Sequence, residues 1–460
     1  MSGPYTALCS GLLFPLHEFA KGHRSVQLRR SLERSQWWSA PRLEAYRVER
    51  LRTFLTSCAR RVPYYRDLFS RVGFDPNSVH NLDALQSLPV LGKSDIRSNT
   101  GLLKAEGHGL LTRYSTGGSS GEPLIFFMGE GRISHDVAAK WRATRWWGVD
   151  IGDPELVVWG SPIELGAQDR VRRLRDAVLR SRLLPAFDMS ETSLDRFVET
   201  IRSVRPAMLF GYPSSLALIA KHAVRRKQTM QDLGIRVAFV TSEKLYDTQR
   251  AIISQVFGCP VANGYGARDA GFIAHECASG GMHISAEDIV VETVRPDGTS
   301  TAAGEAGEIV VTHMATDDFP LIRYSTGDIG LLSRDTCGCG RGLPLLEEIQ
   351  GRTTDFVVAE DGTVMHGLAL VYTVRDLPGV EQFRIEQLSR RQTVVQIVRG
   401  PAFDAAAERR IVGDFKARLG RNVEVRVDLV HAIPREASGK FRYVVSRVRV
   451  PDVDQDACDA

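Results

Sequence analysis

Ten residues, Tyr114-Ser-Thr-Gly-Gly-Ser-Ser-Gly-Glu-Pro123, gather three glycines, three serines and a threonine just ahead of the apolar run Leu124-Ile-Phe-Phe127. A loop of this kind bends freely and offers backbone N–H groups and hydroxyls together, the donors that a chain of phosphate oxygens requires. It is not a Walker A loop, because Glu122-Pro123 stands where a Lys followed by Ser or Thr is needed. Read alone, it is equally a flexible surface linker. Four later stretches carry further chemistry: Asn263-Gly-Tyr-Gly-Ala-Arg-Asp269, Arg323-Tyr-Ser-Thr-Gly-Asp328, Gly351-Arg-Thr-Thr-Asp355 and Pro434-Arg-Glu-Ala-Ser-Gly-Lys440. Taken singly, Asp328 reads as a turn cap and Lys440 as an ordinary exposed lysine.

A separate constellation is Cys277 and His283 on one connection with Cys337 and Cys339 on another. Cys-x5-His and Cys-x-Cys supply the N/S donors that structural Zn²⁺ takes tetrahedrally, with His275 a competing donor. Gly338 and Gly340 are expected to permit the tight turn that turns both thiolates to one ion. The plain alternative is free thiols packed as small hydrophobes.

The elements that must position these groups follow from periodicity. Residues 41–62 place apolar side chains at helical spacing and Pro63 ends the run. A short amphipathic helix is expected from Leu82 into the Pro/Gly turn before Ile96, and Trp141, Trp146 and Trp147 fall in a helical segment ending at Gly148. From residue 155, short apolar runs (Leu156–Trp159, Met208–Phe210, Val237–Val240, Pro260–Ala262) alternate with helical stretches, the signature of βαβ units on a parallel sheet. Each run ends in a small or polar turn, and ligands collect at the carboxyl ends of such strands. Beyond residue 280 the chain becomes β-rich, and a final segment from about 353 mixes strands with one helix over 403–419.

Composition is that of a soluble globular protein, 43% hydrophobic and 25% charged, long enough at 460 residues for two or three cores. A net charge of +4 is too small to argue for nucleic acid. The arginines from Arg170 to Arg182 interleave with Val171, Leu174 and Val178, as on the solvated face of a helix, with a phosphorylated cosubstrate the alternative. No secretory signal or membrane-spanning run is seen, and seven unevenly spread cysteines do not form a disulfide framework. A cytoplasmic protein with no membrane or nucleic-acid partner is expected.

In order and spacing, the glycine-rich loop and the four later stretches resemble the adenylate-forming enzymes, the superfamily of acyl-CoA synthetases and nonribosomal adenylation domains. Pro63-Tyr-Tyr-Arg66, Leu88-Pro-Val-Leu-Gly-Lys93 and Cys337-Gly-Cys-Gly-Arg341 are similar to the phenylacetate–CoA ligase and capsule-biosynthesis branch. The resemblance covers essentially the whole chain. It implies an α/β protein with a large N-terminal domain (1–352), mostly parallel sheet flanked by helices plus a β-rich subdomain. A small, mobile α+β C-terminal domain (353–460) would follow, hinged at Asp355. It further implies an enzyme that makes an acyl-adenylate from ATP and a carboxylic acid, expected to be aromatic, releases pyrophosphate, and passes the acyl group to coenzyme A.

Under that resemblance, Ser115, Thr116, Gly117, Gly118, Ser119, Ser120 and Gly121 hold the β- and γ-phosphates. Ser242, Glu243, Asn263, Gly264, Tyr265 and Gly266 line the nucleotide side, Tyr265 stacking on adenine. Asp328 accepts from the ribose hydroxyls with Arg352 beside it. Lys440 meets the developing charge on the α-phosphate, a role that suits a compact point charge. Asp269 stands where the family commonly has Glu and would help to hold Mg²⁺, one methylene shorter. Glu122 replaces the loop's frequent Lys. The acid is assigned to Trp159, Tyr212, Ser242, Glu243 and Gly264 at the strand ends. The resemblance also implies zinc at Cys277, His283, Cys337 and Cys339, with a structural role. It leaves open transfer to an amine, an amino acid or a carrier-protein thiol, a homodimer, and a nucleotide-binding protein that no longer turns over.

Overall fold

The computed structural model describes residues 3–115, 124–159, 170–186, 189–295, 297–302, 304–351, 356–375, 377–433 and 443–448. Thr116, Gly117, Gly118, Ser119, Ser120, Gly121, Arg352, Asp355 and Lys440 lie outside the described residues.

The chain opens on a helical rod: α1 (Pro4–Leu8), a π turn (Cys9–Leu13) and α2 (Phe14–Ala20). The π turn precedes Pro15, whose missing N–H and bulky ring prevent an ordinary α-type closure four residues back. Then come α3 (Ser25–Ser35) and α4 (Ala40–Arg61), the latter matching the expected 41–62. Pro63 starts α5 (Pro63–Val72), which stops at Gly73 in the left-handed region, φ +66°. The helix expected from Leu82 is a 3-10 turn (Leu82–Ser87), followed beyond Pro89 by α6 (Lys93–Ser98). Between them Leu91 bridges to Tyr324, which carries the Leu88–Lys93 segment onto the later β-rich part.

The hairpin β1 (Thr112–Ser115) and β2 (Ile125–Met128) flanks the glycine-rich loop, Ser115 opposite Ile125. After α7 (Glu130–Arg145) comes a sheet of seven strands, β3 (Glu155–Trp159), β4 (Ser181–Pro185), β5 (Met208–Gly211), β6 (Val237–Thr241), β7 (Val261–Ala267), β8 (Gly271–Glu276) and β9 (Met282–Ile284). Their order is β4-β3-β5-β6-β7-β8-β9, parallel through β7 and antiparallel beyond. The crossover helices are α8 (Arg170–Val178), α9 (Glu191–Val204), α10 (Pro213–Arg225) and α11 (Asp247–Phe257).

Two sequence expectations are corrected here. The arginine-rich stretch is a helix only to Val178, and Arg182 lies in β4, whose pairing with β3 overrides the helical spacing. Asn263–Gly266, expected as a turn, continues β7, because β8 folds back to supply the ladder. A Cβ on Gly266 would lie 2.4 Å from the Gly271 carbonyl oxygen, so only glycine permits that approach.

The β-rich part is an antiparallel sheet of β10 (Ile289–Val294), β11 (Gly307–His313), β12 (Tyr324–Leu332) and β13 (Leu346–Gly351). One apolar core joins α4, α5, β2 and this sheet. Tyr65 ties its ends: its hydroxyl donates to the Pro320 carbonyl (3.1 Å) and accepts from the Ile322 N–H (2.9 Å). The parallel sheet and its helices have a second core. The C-terminal part has its own core, built from hairpin β14 (Phe356–Val358)/β15 (Val364–His366), α12 (Leu368–Arg375), α13 (Ala405–Leu419), and a mixed sheet. That sheet comprises β16 (Val380–Ser389), β17 (Gln392–Arg399), β18 (Glu424–Leu429) and β19 (Val444–Ser446), ordered β18-β17-β16-β19.

Candidate active site and thiolate cluster

The strand ends of the seven-stranded sheet bring the predicted residues together. Trp159, the last residue of β3, and Tyr212, just after β5, stack with ring centroids 4.4 Å apart and planes at 23°. Phe210 stacks on Trp159 on one side and on Phe239 on the other, at 5.9 and 5.8 Å. A Cβ on Gly264 would come within 2.8 Å of the Phe239 ring, so glycine there lets β7 close on this aromatic row. Past β6, Ser242 holds φ +71°, a left-handed conformation that a residue with a Cβ adopts only when its surroundings impose it. It aims Glu243 at the start of α10, where Glu243 Oε2 accepts from the Ser214 N–H at 3.1 Å. Burial pushes the Glu243 carboxyl up to about 7, against the pull of Ser214 and Arg418.

On β7, the Asn263 N–H donates to Glu276 Oε2 (2.7 Å), which Arg250 also engages at 3.0 Å. Tyr265 buries its ring in the N-terminal core and donates its hydroxyl to Asp328 Oδ2 at 2.9 Å. The backbone N–H of Asp328 in turn donates to Thr326 Oγ1 at 3.2 Å. Asp269, 7% exposed, accepts from the Tyr324 hydroxyl on Oδ2 (2.5 Å) and from the Ala270 N–H on Oδ1 (3.1 Å). Residues from the second and third motifs thus meet in pairs, Tyr265 with Asp328 and Asp269 with Tyr324.

Residues 357–447 match the family model of the CapK C-terminal domain. Phenylacetate–coenzyme A ligase of Thermus thermophilus is 26% identical over 329 residues, 69% of this chain and 72% of the relative. Protein CapK of Staphylococcus aureus is 21% identical over 412 residues, 87% of this chain and 88% of CapK. Among solved structures, 2-hydroxyisobutyryl-CoA ligase with 2-HIB-AMP and CoA in the thioesterification state superposes with TM-score 0.63 at 21% identity, covering 90% of this chain and 91% of that one.

The chain is similar to phenylacetate–CoA ligases and to CapK, and has the fold of an acyl-CoA ligase.

The structure adds two arginines that sequence reading did not single out. Arg132 on α7 is 3% exposed, grips both Asp136 oxygens through Nε at 3.1 Å, and donates to the Arg268 and Asp269 carbonyls at 3.2 Å. It therefore braces the turn that carries Asp269. Nothing in a lone arginine 137 positions upstream signals this role. Arg268 is exposed and reaches toward the Ser115 carbonyl, at the entry to the glycine-rich loop. Its place inside the Asn263–Asp269 motif was the available signal.

The four predicted metal donors also converge. Cys277, His283, Cys337 and Cys339 present ligand atoms all within 4.8 Å of one another. Cys277 Sγ lies 3.6 Å from Cys337 Sγ, and Cys339 Sγ lies 3.2 Å from His283 Nε2. His283 Nδ1 faces the Leu343 carbonyl at 3.3 Å, which leaves Nε2 as the ligand nitrogen in the arrangement usual for a metal-bound imidazole. A Cβ on Gly281 would meet Cys337 Sγ at 2.6 Å, so glycine admits the thiol. Of the two glycines expected to make the turn, Gly340 does so with φ +81°, whereas Gly338 has open space and no left-handed φ. His275, the competing donor, lies apart between Phe239 and Phe272. Without an ion, burial pushes the Cys277 thiol up to about 11 and the His283 imidazole down to about 4.

A second group, His135, Asp136 and His313, also clusters, but Arg132 already occupies both Asp136 oxygens and opposes a further cation there.

Proposed function

We propose that this chain condenses a carboxylic acid with ATP to acyl-AMP and pyrophosphate, then transfers the acyl group to coenzyme A. The observation that carries the proposal is the meeting of Tyr265, Asp328, Tyr324 and Asp269 where β7 and β12 face each other, beside the hairpin that presents the glycine-rich loop. A carboxylate already held by Tyr265 is pre-oriented for two ribose hydroxyls, and positioning of this kind dominates phosphoryl and adenylyl chemistry. The aromatic row of Trp159, Tyr212, Phe210 and Phe239 supports an aromatic acid. Mg²⁺ would be held by Asp269, whose oxygens each accept one hydrogen bond and keep a further lone pair for a cation or its water. A bound cation would neutralise the phosphate charge as the α-phosphorus is attacked. Ser115 to Gly121 would grip the β- and γ-phosphates, Arg352 would join Asp328 at the ribose, and Lys440 would meet the charge at the reacting oxygens.

In the same reading the C-terminal part, from about 353, swings about Asp355 between the two half-reactions. Its separate core and the extent of the CapK C-terminal match support this boundary. Among the described residues it meets the large part through Lys221 to Asp361 (2.7 Å), Arg418 to the Ala186 carbonyl (3.1 Å) and Arg421 to Glu191, beside a cleft of about 320 Å³. Zn²⁺ at Cys277, His283, Cys337 and Cys339 would be structural, pinning the β8–β9 connection to the β12–β13 connection. The converged sulfurs and the oriented His283 fit it, and the free cysteines suit a cytoplasmic location. The deciding experiment is pyrophosphate release from ATP across aryl and aliphatic acids, with and without coenzyme A. Release that needs an acid, with a thioester formed, is expected. Release indifferent to coenzyme A would redirect the acyl group to an amine or a carrier-protein thiol.

A further inference from the structure

The helical rod at residues 4–20 buries one face only. Inward, Thr6 Oγ1 donates to Asp153 (2.9 Å) and Phe14 meets Trp141 edge-on at 5.1 Å. Outward, Tyr5, Leu8, Leu12, Leu16 and Phe19 fall at intervals of three and four, one helix face, with Leu12 50% and Phe19 83% exposed. This row runs about 20 Å at the helical rise per residue. Between Met1 and Leu16 there is no charged side chain to interrupt it. Isolated exposed apolar side chains are ordinary, whereas five in one line are not.

What lies beside the row is basic. α8 packs against the rod through the Tyr5 hydroxyl, which donates to the Val178 carbonyl at 2.7 Å, and Arg180 sits over the Tyr5 ring at 5.4 Å. Leu174 on α8, 68% exposed, extends the apolar surface. Lys21, Arg24, Arg180 and Arg182 are exposed around it. Residues 1–34 hold five Lys/Arg against two Glu, and 170–182 six Arg against one Asp, so these two segments carry +8 in a chain whose total is +4. The rest of the protein is net acidic, and the exposed Lys21, Arg24, Arg180 and Arg182 set part of this positive charge beside the apolar row.

We propose that this face docks on an anionic lipid surface, the row of Tyr5 to Phe19 entering the headgroup boundary while Lys21, Arg24, Arg180 and Arg182 meet lipid phosphates. An apolar helix face with flanking cations offers the two things a charged bilayer recognises, depth and sign. A second copy of the chain suits it poorly, because a two-fold contact through the rods would set one basic face against another. The expectation of no membrane partner rested on the lack of a spanning segment. No helix among the described residues is long and apolar enough to cross a bilayer, but lying on one requires only a face.

The test is co-sedimentation with vesicles of phosphatidylcholine alone and of phosphatidylcholine with an equal part of phosphatidylglycerol, at about 50 and about 500 mM salt. Binding to the anionic vesicles at low salt is expected, weakened at high salt and absent on the neutral ones. The double variant Leu12→Glu/Phe19→Glu should bind about tenfold more weakly or worse. Lys21→Glu/Arg180→Glu/Arg182→Glu, which leaves the apolar row intact, should lose binding to a similar degree, so the proposal stays testable if the first variant folds poorly. No binding to anionic vesicles, or equal binding by wild type and both variants, would overturn the proposal. A solution dimer that Phe19→Glu dissociates would reassign the face to a second copy.

Discussion

The Tyr265 hydroxyl donates to the Asp328 carboxylate at 2.9 Å, joining β7 of the parallel sheet to β12 of the antiparallel one across 63 residues of sequence. A hydrogen bond to a charged acceptor contributes about 1.5 kcal/mol or somewhat more. Tyr265→Phe should therefore raise the KM for ATP about tenfold while the fold persists. Steady-state pyrophosphate release against ATP concentration measures this. An unchanged KM would mean that Asp328 does not depend on Tyr265 for its orientation.

Lys440→Ala should slow acyl-adenylate formation by about 100-fold or more, the scale on which a charge-stabilising donor acts, and leave ATP affinity nearly unaltered. Single-turnover adenylation beside nucleotide-binding titration separates the two. Equal rates would remove Lys440 from the reaction.

Purified protein should carry about one zinc per chain, and Cys339→Ser should lose it and unfold at lower temperature. Elemental analysis and thermal melts check both halves. A folded, zinc-free wild type would leave the four donors as packed thiols and an imidazole.

Glu243 gives a pH dependence with a definite sign. Burial raises its carboxyl to about 7 from an ordinary 4.5, so the folded protein binds the extra proton between those values and the unfolded chain does not. Stability conferred by the protonated form is complete below the unfolded value and is lost as pH rises through about 7. Glu243→Gln should flatten this slope, matching wild type near pH 4.5 and exceeding it at pH 8. Melting temperature across the range is the readout, and parallel curves would refute the assignment.

Much of this architecture was legible because local signals and tertiary context agree. The apolar runs at Leu156, Met208 and Val237 became parallel strands, and α4 ended where Pro63 required. β4 was missed because Ser181-Arg-Leu-Leu-Pro185 follows a helix without a turn signal, and its state is decided by pairing with β3. The Asn263–Gly266 segment looked like a turn because glycine normally marks one; here Gly264 and Gly266 serve close approach instead. The Cys277–Cys337 meeting combines residues of matched type that the sequence already groups, whereas the sequence assigns Tyr265 to adenine stacking and gives no sign of its bond to Asp328. Arg132 and the outward row of the first helix had no such marker, since a brace and an exposed face are defined by what lies across from them.

Tyr65, bonded to Pro320 and Ile322, waits for its partners while some 255 residues are made. At roughly 5–20 residues per second, the apolar faces of α4 and α5 stay uncovered on the ribosome for on the order of ten seconds or longer. The order of this chain therefore leaves apolar surface open during synthesis, and a slow stretch of translation before residue 320 would lengthen the exposure.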